Sequence, residues 1–358
     1  MSSILAAFPT RLPIGRGSIR ACWWKGCGGF CEEKRCLGWT SGIPSSWRRA
    51  RRVENPWRRV PPPAPLTPFP GPTKTPRPIP ARSRGDVLRL RGLRVPPPDD
   101  HLLPVYNRAP LAFERGEGAW LYTAEGEAYL DCLAGIAVTG LGHGHPKLVQ
   151  ALKDQGEKLW HISNIFRIPG QEVLAARLAE ATFADLVFFT NSGTEAVECA
   201  LKMARRFHWA AGQPERIDVI GFEGAFHGRS YAAVFAAGNP KYVEGYGPPL
   251  PGFVQLPFGD MAALEAAMGP TTAAVIGEPV QGEGGVRAWP EGDLSALRAL
   301  CDERGVLLIY DEIQCGLGRT GRLFAHEWAR DAAPDILCVA KALGGGFPVG
   351  ACLATARA

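Results

Sequence analysis

The chain has 358 residues, 46% of them hydrophobic and 21% charged, enough for one large α/β domain or two ordinary ones. Its formal charge of +5 averages two unlike parts: residues 1–100 carry 19 Lys and Arg against 6 Asp and Glu, a balance of +13, and residues 101–358 carry 21 against 29, a balance of −8. The part able to fold is acidic, so the basic average excludes nothing and implies no nucleic-acid partner for it.

Residues 1–103 are expected to form a disordered extension. Of the 32 prolines, 17 fall within residues 1–100, including Pro61-Pro62-Pro63, and periodic apolar positions are too few to offset the entropy of ordering. Three functional readings compete: an Arg-rich, acid-poor targeting segment, a nucleic-acid-binding arm, and a metal site at Cys22, Cys27, Cys31 and Cys36. The cysteine spacing lacks the paired C-x₂-C of recognisable zinc sites. The reading adopted is translated upstream sequence without a selected role. The other cysteines, at 132, 199, 301, 315, 338 and 352, stand in apolar contexts and read as buried free thiols of a reducing compartment. No apolar run approaches the roughly 18 residues needed to span a bilayer. The expectation is a cytoplasmic protein without membrane or nucleic-acid partners and without a metal.

From about Pro104 the chain alternates apolar runs, glycine turns and helical periods. His145-Pro146 opens a helix with proline in its first turn, and Leu148, Val149, Leu152 and Leu159 recur at helical spacing. Leu186–Phe189 reads as a short strand. Ser192 and Glu195 then stand at capping-box spacing before a helix with Ala196, Ala200, Met203, Ala204 and Phe207 on one face. Further strands are expected at Asp218–Phe222, Ala273–Gly277, Val306–Tyr310, Ile336–Ala340 and Val349–Ala354, with a helix over Leu294–Arg304. Most are continuous apolar runs, which argues for a mainly parallel sheet flanked by helices.

These strands end on polar groups: Asn191-Ser192, Glu278, Asp311-Glu312 and Lys341. In a parallel sheet such ends share one edge, where open α/β sheets bind ligands. Ser192-Gly193-Thr194 at a helix start offers unpaired N–H groups to an anion; the plain alternative is an ordinary capped helix. Asp311, after five apolar residues, needs a cation or strong donors and could hold a protonated ring nitrogen, with Gln314 beside an oxygen of the same ring; a cap or salt bridge would also satisfy it. A partly desolvated Lys341 can offer a neutral amine to an aldehyde, and Gly344-Gly345-Gly346 lets backbone approach closely. Together these are the parts of a pyridoxal 5′-phosphate site.

Residues from about Val105 onward resemble the class III (ω-amino) aminotransferases. The resemblance rests on Phe-Glu-Arg-Gly-Glu-Gly (113–118), Gly-Leu-Gly-His-Gly-His-Pro (140–146), Leu-Trp-His-Ile-Ser-Asn (159–164), Phe-Phe-Thr-Asn-Ser-Gly-Thr-Glu-Ala-Val-Glu (188–198), Gly-Ala-Phe-His-Gly-Arg (224–229), Glu-Pro-Val-Gln-Gly-Glu-Gly-Gly (278–285), Tyr-Asp-Glu-Ile-Gln-Cys-Gly-Leu-Gly-Arg-Thr-Gly (310–321) and the lysine stretch. It implies an aspartate-aminotransferase-like, fold type I PLP-transferase, with residues 104–160 an N-terminal segment and 161–358 a large cofactor domain. It further implies that Gly193 and Thr194 hold the phosphate, Phe226 stacks on the ring, Asp311 pairs with its nitrogen, and Gln314 contacts its phenolic oxygen. Ser192 and Glu278 join the cofactor-binding set, and Lys341 is the catalytic lysine that binds the cofactor as an imine. Arg229 would grip a substrate carboxylate and Glu283 resembles the family's gating glutamate. The implied reaction moves the terminal amino group of N2-acetylornithine to 2-oxoglutarate in a homodimer, giving glutamate and an N-acetylated semialdehyde in arginine biosynthesis. Ornithine, succinylornithine and 4-aminobutyrate are the alternative donors, and an inactive fragment is the non-enzymatic one. Relatives continue into a C-terminal small domain bearing an arginine for glutamate and a threonine for the partner's phosphate, so the expectation is a truncated C-terminal domain.

Two motifs are set aside. Gly316-Leu-Gly318-Arg-Thr-Gly321 fits the dinucleotide fingerprint, but its strand has already ended and no small-residue helix start follows. His143 and His145 lack a third ligand and read as a turn.

Overall fold

The computed structural model describes residues 102–103, 105–290 and 292–358. The readings placed on residues 1–101, the four-cysteine cluster included, lie outside the described residues.

Three short strands, β1 (Arg115–Glu117), β2 (Trp120–Tyr122) and β3 (Ala128–Leu130), form an antiparallel sheet. Then come a helical turn α1 (Ala134–Ala137), α2 (Pro146–Gly156) and α3 (Pro169–Ala181), the last two each opened by its proline. His143 bridges Gly118 in the backbone and places Nε2 2.7 Å from Asp131, and His145 precedes α2.

The main body follows as β4 (Leu186–Thr190), α4 (Gly193–Ala210), β5 (Asp218–Phe222), α5 (Tyr231–Ala237), α6 (Pro240–Val243), β6 (Phe253–Leu256), α7 (Met261–Ala267) and β7 (Thr272–Gly277). A two-stranded hairpin, β8 (Val280–Gln281) with β9 (Arg287–Ala288), leads to α8 (Asp293–Arg304), β10 (Leu307–Asp311), β11 (Ile336–Val339) and β12 (Gly350–Ala354). Seven strands make one sheet in the order β4-β12-β11-β10-β7-β5-β6. The pairs from β11 to β6 are parallel; β12 runs against both of its neighbours, so β4 points the same way as the rest.

Alternation along each strand divides the core. Leu308 and Tyr310 of β10, with Val275, Leu337 and Val339, pack with Leu178, Leu264, Leu297 and Cys301 of α3, α7 and α8. Leu307 and Ile309, with Ala274, Ile276, Ile336 and Cys338, pack with Ala196, Ala200, Ala204, Ala233 and Ala236 of α4 and α5. The period of two sends successive side chains to opposite faces, and both faces are covered, so the strands read as unbroken apolar runs. Each fully buried aliphatic chain contributes about 1.5–3 kcal/mol. All six described cysteines are free; four are buried, whereas Cys199 is half-buried and Cys132 exposed, so burial was overstated for those two. Among the described residues no helix is long and apolar enough to cross a membrane.

Candidate active site

The carboxyl ends of β4, β7, β10 and β11 share one edge, and there a cavity of about 350 Å³ opens. Ser192, Gly193, Thr194, Phe226, Glu278, Asp311, Gln314 and Lys341 all border it. Arg229 and Glu283 do not. Arg229 is exposed, with its guanidinium carbon 4.8 Å from the ring centroid of Tyr242 and 5.5 Å from that of Tyr106. Glu283, also exposed, accepts from Gln314 Nε2 at 3.4 Å.

At one end stands the first turn of α4. Ser192 is its N-cap, and Ser192 Oγ accepts from the Glu195 amide at 3.4 Å. Glu195 reaches back one residue further than a standard capping box, taking the Asn191 amide and the Ser192 hydroxyl, each at 2.9 Å. Those bonds, the Ser192 hydroxyl first, hold its carboxyl below the usual range. The Thr194 hydroxyl is engaged too. Ser230 Oγ donates to Glu198 Oε1 at 2.6 Å, so in its 2.6 Å contact with Thr194 Oγ1 the proton comes from Thr194. What α4 presents to the cavity is therefore its unpaired backbone N–H groups and dipole, not free hydroxyls. Gly228, at φ +113°, passes so close to Thr194 that a Cβ there would collide with its side chain.

The opposite wall carries the titratable groups. Asp311 is 2% exposed; its Oδ1 accepts from the Ile313 amide at 3.0 Å and its Oδ2 lies 2.8 Å from His227 Nδ1. Two N–H donors suit an ionised carboxylate. His227 is missing from the sequence-based set although it stands between Phe226 and Arg229 in a quoted motif. Nothing in the sequence said which of three adjacent polar or aromatic groups would turn inward. Burial alone would lower its pKa; the bond to Asp311 and the charges of Asp311 and Glu278 outweigh this and raise it. Its Nε2 has no hydrogen-bond partner. Lys341 follows β11 with φ +46°, a left-handed conformation costing a non-glycine residue about 1–2 kcal/mol. Burial pushes its ammonium pKa down against the pull of Asp311, Glu283 and Glu278, favouring the neutral amine.

Amine, carboxylate and helix N-terminus bordering one cavity, with an orphaned imidazole nitrogen in its wall, suit an aldehyde-bearing, phosphorylated pyridine. The glycine-rich stretch 316–321 leads into turns and a short 3₁₀ segment at Ala325–Trp328, not the helix a dinucleotide needs.

Residues 104–358 match the family model described as aminotransferase class-III. Acetylornithine aminotransferase 2 of Caulobacter vibrioides is 69% identical over 259 residues, which cover 72% of this chain and 64% of that protein. Among solved structures, N-acetylornithine aminotransferase of Stenotrophomonas maltophilia K279a aligns with a TM-score of 0.62 at 44% identity, covering 70% of this chain and 64% of that one. Ornithine aminotransferase of Toxoplasma gondii ME49 aligns with a TM-score of 0.69 at 33% identity, over 77% and 64%. The chain belongs to the class III aminotransferases. Its fold is that of the fold type I, pyridoxal-phosphate-dependent aminotransferases. It spans 64% of the length of the curated relatives it matches.

Proposed function

We propose that this chain provides the pyridoxal-phosphate site of an aminotransferase that moves the terminal amino group of N2-acetylornithine to 2-oxoglutarate. The observation that carries the reading is the meeting of Lys341, Asp311 and the start of α4 around one cavity. The 69% identity to a protein named acetylornithine aminotransferase 2 supports the donor.

When bound, the cofactor supplies an aldehyde for amine exchange and a ring that accepts the electron pair left by C–H cleavage. The residues serve it in separate ways. The amides of Gly193 and Thr194 bind the phosphate, with Ser192 fixing the turn that presents them. Asp311, held by His227 and the Ile313 amide, keeps the ring nitrogen protonated. Phe226, Glu278 and Gln314 line the cavity and would hold the ring there, and Lys341 Nζ would provide the nucleophilic amine and the base for a substrate C–H proton. Arg229 at the rim grips a substrate carboxylate with its planar fork, and Glu283 stands over the entrance through Gln314.

The partner is a second copy of the chain, in the cytoplasm. Val149 and Leu152 of α2, Trp160, Ile165 and Phe347 are 40%, 55%, 87%, 83% and 64% exposed, and these are the apolar side chains a second copy would cover. Light scattering should give twice the chain mass; a monomer at micromolar concentration contradicts pairing. For the reaction, N2-acetylornithine, ornithine, succinylornithine and 4-aminobutyrate are compared in steady state with 2-oxoglutarate. N2-acetylornithine should have the highest kcat/KM, by about tenfold or more, as expected for ~1.4 kcal/mol of differential binding. A preference for ornithine would instead favour the reading suggested by the Toxoplasma gondii neighbour, and no turnover with any donor would leave an inactive fragment.

A further inference from the structure

Glu278 directly follows β7, and Asp311 ends β10. These strands are parallel and adjacent, with Tyr310 opposite Gly277, so the two carboxyl groups occupy the next facing positions on neighbouring strands. Both are buried, at 4% and 2% exposure, and both border the same cavity. Their donors differ. Asp311 receives an N–H on each oxygen, whereas Glu278 receives one, from the Phe226 amide to Oε2 at 3.2 Å. Two buried carboxylates side by side cannot both ionise cheaply, and the member that accepts more hydrogen bonds keeps the charge.

We infer that Glu278 is a positioning residue that serves as an uncharged carboxylic acid, so that the facing pair carries one negative charge and Asp311 holds it for the ring nitrogen. The inference rests on the pyridoxal-phosphate reading above and adds the protonation state that makes the site work. The surrounding groups are consistent with it. His227, on the loop after β5, pairs with Asp311; Lys341, after β11, is biased towards its neutral amine; and Cys315, in the turn after β10, is a thiol whose pKa burial pushes up. An ionised Glu278 would place a second buried anion beside Asp311. Burial first, then the charge of Asp311, pushes the Glu278 pKa up to about 8, against the opposing pull of His227, the Phe226 amide and Lys341. Above that pH a second negative charge appears in a cavity built for an anionic ligand.

Two measurements on the full chain test this. In the cofactor-free protein at neutral pH, infrared difference spectroscopy should show the carbonyl stretch of a neutral carboxylic acid. The band should fade with a midpoint near 8 and be missing in Glu278→Gln. Absence of the band from the unsubstituted chain, or its persistence in the variant, overturns the proposal, and the titration of the unsubstituted chain decides even if the variant does not fold. The second uses pyridoxamine 5′-phosphate, which shares ring nitrogen and phosphate but forms no imine with Lys341. Its affinity for the unsubstituted chain should fall about threefold or more across the same pH interval, beyond any fall shown by Glu278→Gln, while Glu278→Asp, whose shorter arm leaves the Phe226 amide, should bind more weakly than Gln at pH 7. Identical pH curves for the unsubstituted chain and Glu278→Gln overturn the proposal. Failure of every form to bind the probe defeats the cofactor reading instead, leaving the charge state of Glu278 to the infrared result.

Discussion

Lys341 and Glu278 show the same force acting on opposite charges: burial disfavours the ion, so the lysine loses its proton more readily and the glutamic acid less readily. For Glu278 this has a consequence for folding. Between the ordinary carboxyl pKa of 4.5 and about 8 the unfolded chain has released this proton and the folded chain has not. The unfolded state then binds fewer protons, so this residue's contribution to stability falls as pH rises through that window and is constant beyond it. Glu278→Gln removes the dependence. The stability advantage of the variant over the unsubstituted protein should therefore be smallest near pH 4.5, grow up to about pH 8 and then level, reaching at most about 5 kcal/mol. Parallel denaturation curves across that range would show that Glu278 ionises normally. At Thr194 the hydroxyl that a Ser-Gly-Thr stretch seems to offer is spent on Ser230, whose own hydroxyl goes to Glu198, and only the backbone is left for a phosphate.

At the scale of elements, the sheet edge is held in register by pairs remote from the cavity. Asp335, just before β11, accepts from Arg298 Nη1 of α8 at 2.8 Å and from the Leu308 amide of β10 at 2.9 Å with one buried oxygen. It thereby ties a helix and two central strands together beneath the ends that carry Asp311 and Lys341. Asp335→Ala leaves the buried Arg298 guanidinium only the exposed Asp302, at 2.7 Å, and orphans the Leu308 amide; it should cost about 3 kcal/mol in chemical denaturation, and a loss under about 1 kcal/mol would mean the pair is idle. Glu312 does similar work on the following turn, accepting from the amides of Ala325 and His326 and lying 2.7 Å from His326 Nδ1. The strands β5, β7, β10, β11 and β12 were legible because burial on both faces writes a continuous apolar run; β4, at the sheet's edge with Leu186 and Phe188 exposed, was legible by its apolar run alone. β6, Phe253–Leu256, was not, being four half-buried residues close to glycine and proline. The reversed direction of β12 leaves no mark in an apolar run. α2 was recognised by its period, yet that period promised a buried stripe, and no residue of α2 is buried. Periodicity reports an amphipathic face and says nothing of what covers it.

For the whole molecule, the residues that line the cavity were legible where residue type marks a strand end, as with Asp311, Lys341 and Glu278, and where a resemblance singled out Phe226 and Gln314. It was not legible for His227, which matters through a contact between residues 84 positions apart. Arg229 and Glu283 are exposed and lie outside the cavity wall, unlike the other residues the resemblance singled out. On the proposed function, one amine in this chain, that of Lys341, meets the cofactor's aldehyde. Incubation with pyridoxal 5′-phosphate, reduction with borohydride and peptide mass mapping measures it directly. The phosphopyridoxyl mass should fall on Lys341, and Lys341→Ala should abolish both the label and the visible absorption band. Labelling spread over other lysines, or a band that survives in Lys341→Ala, would contradict the assignment.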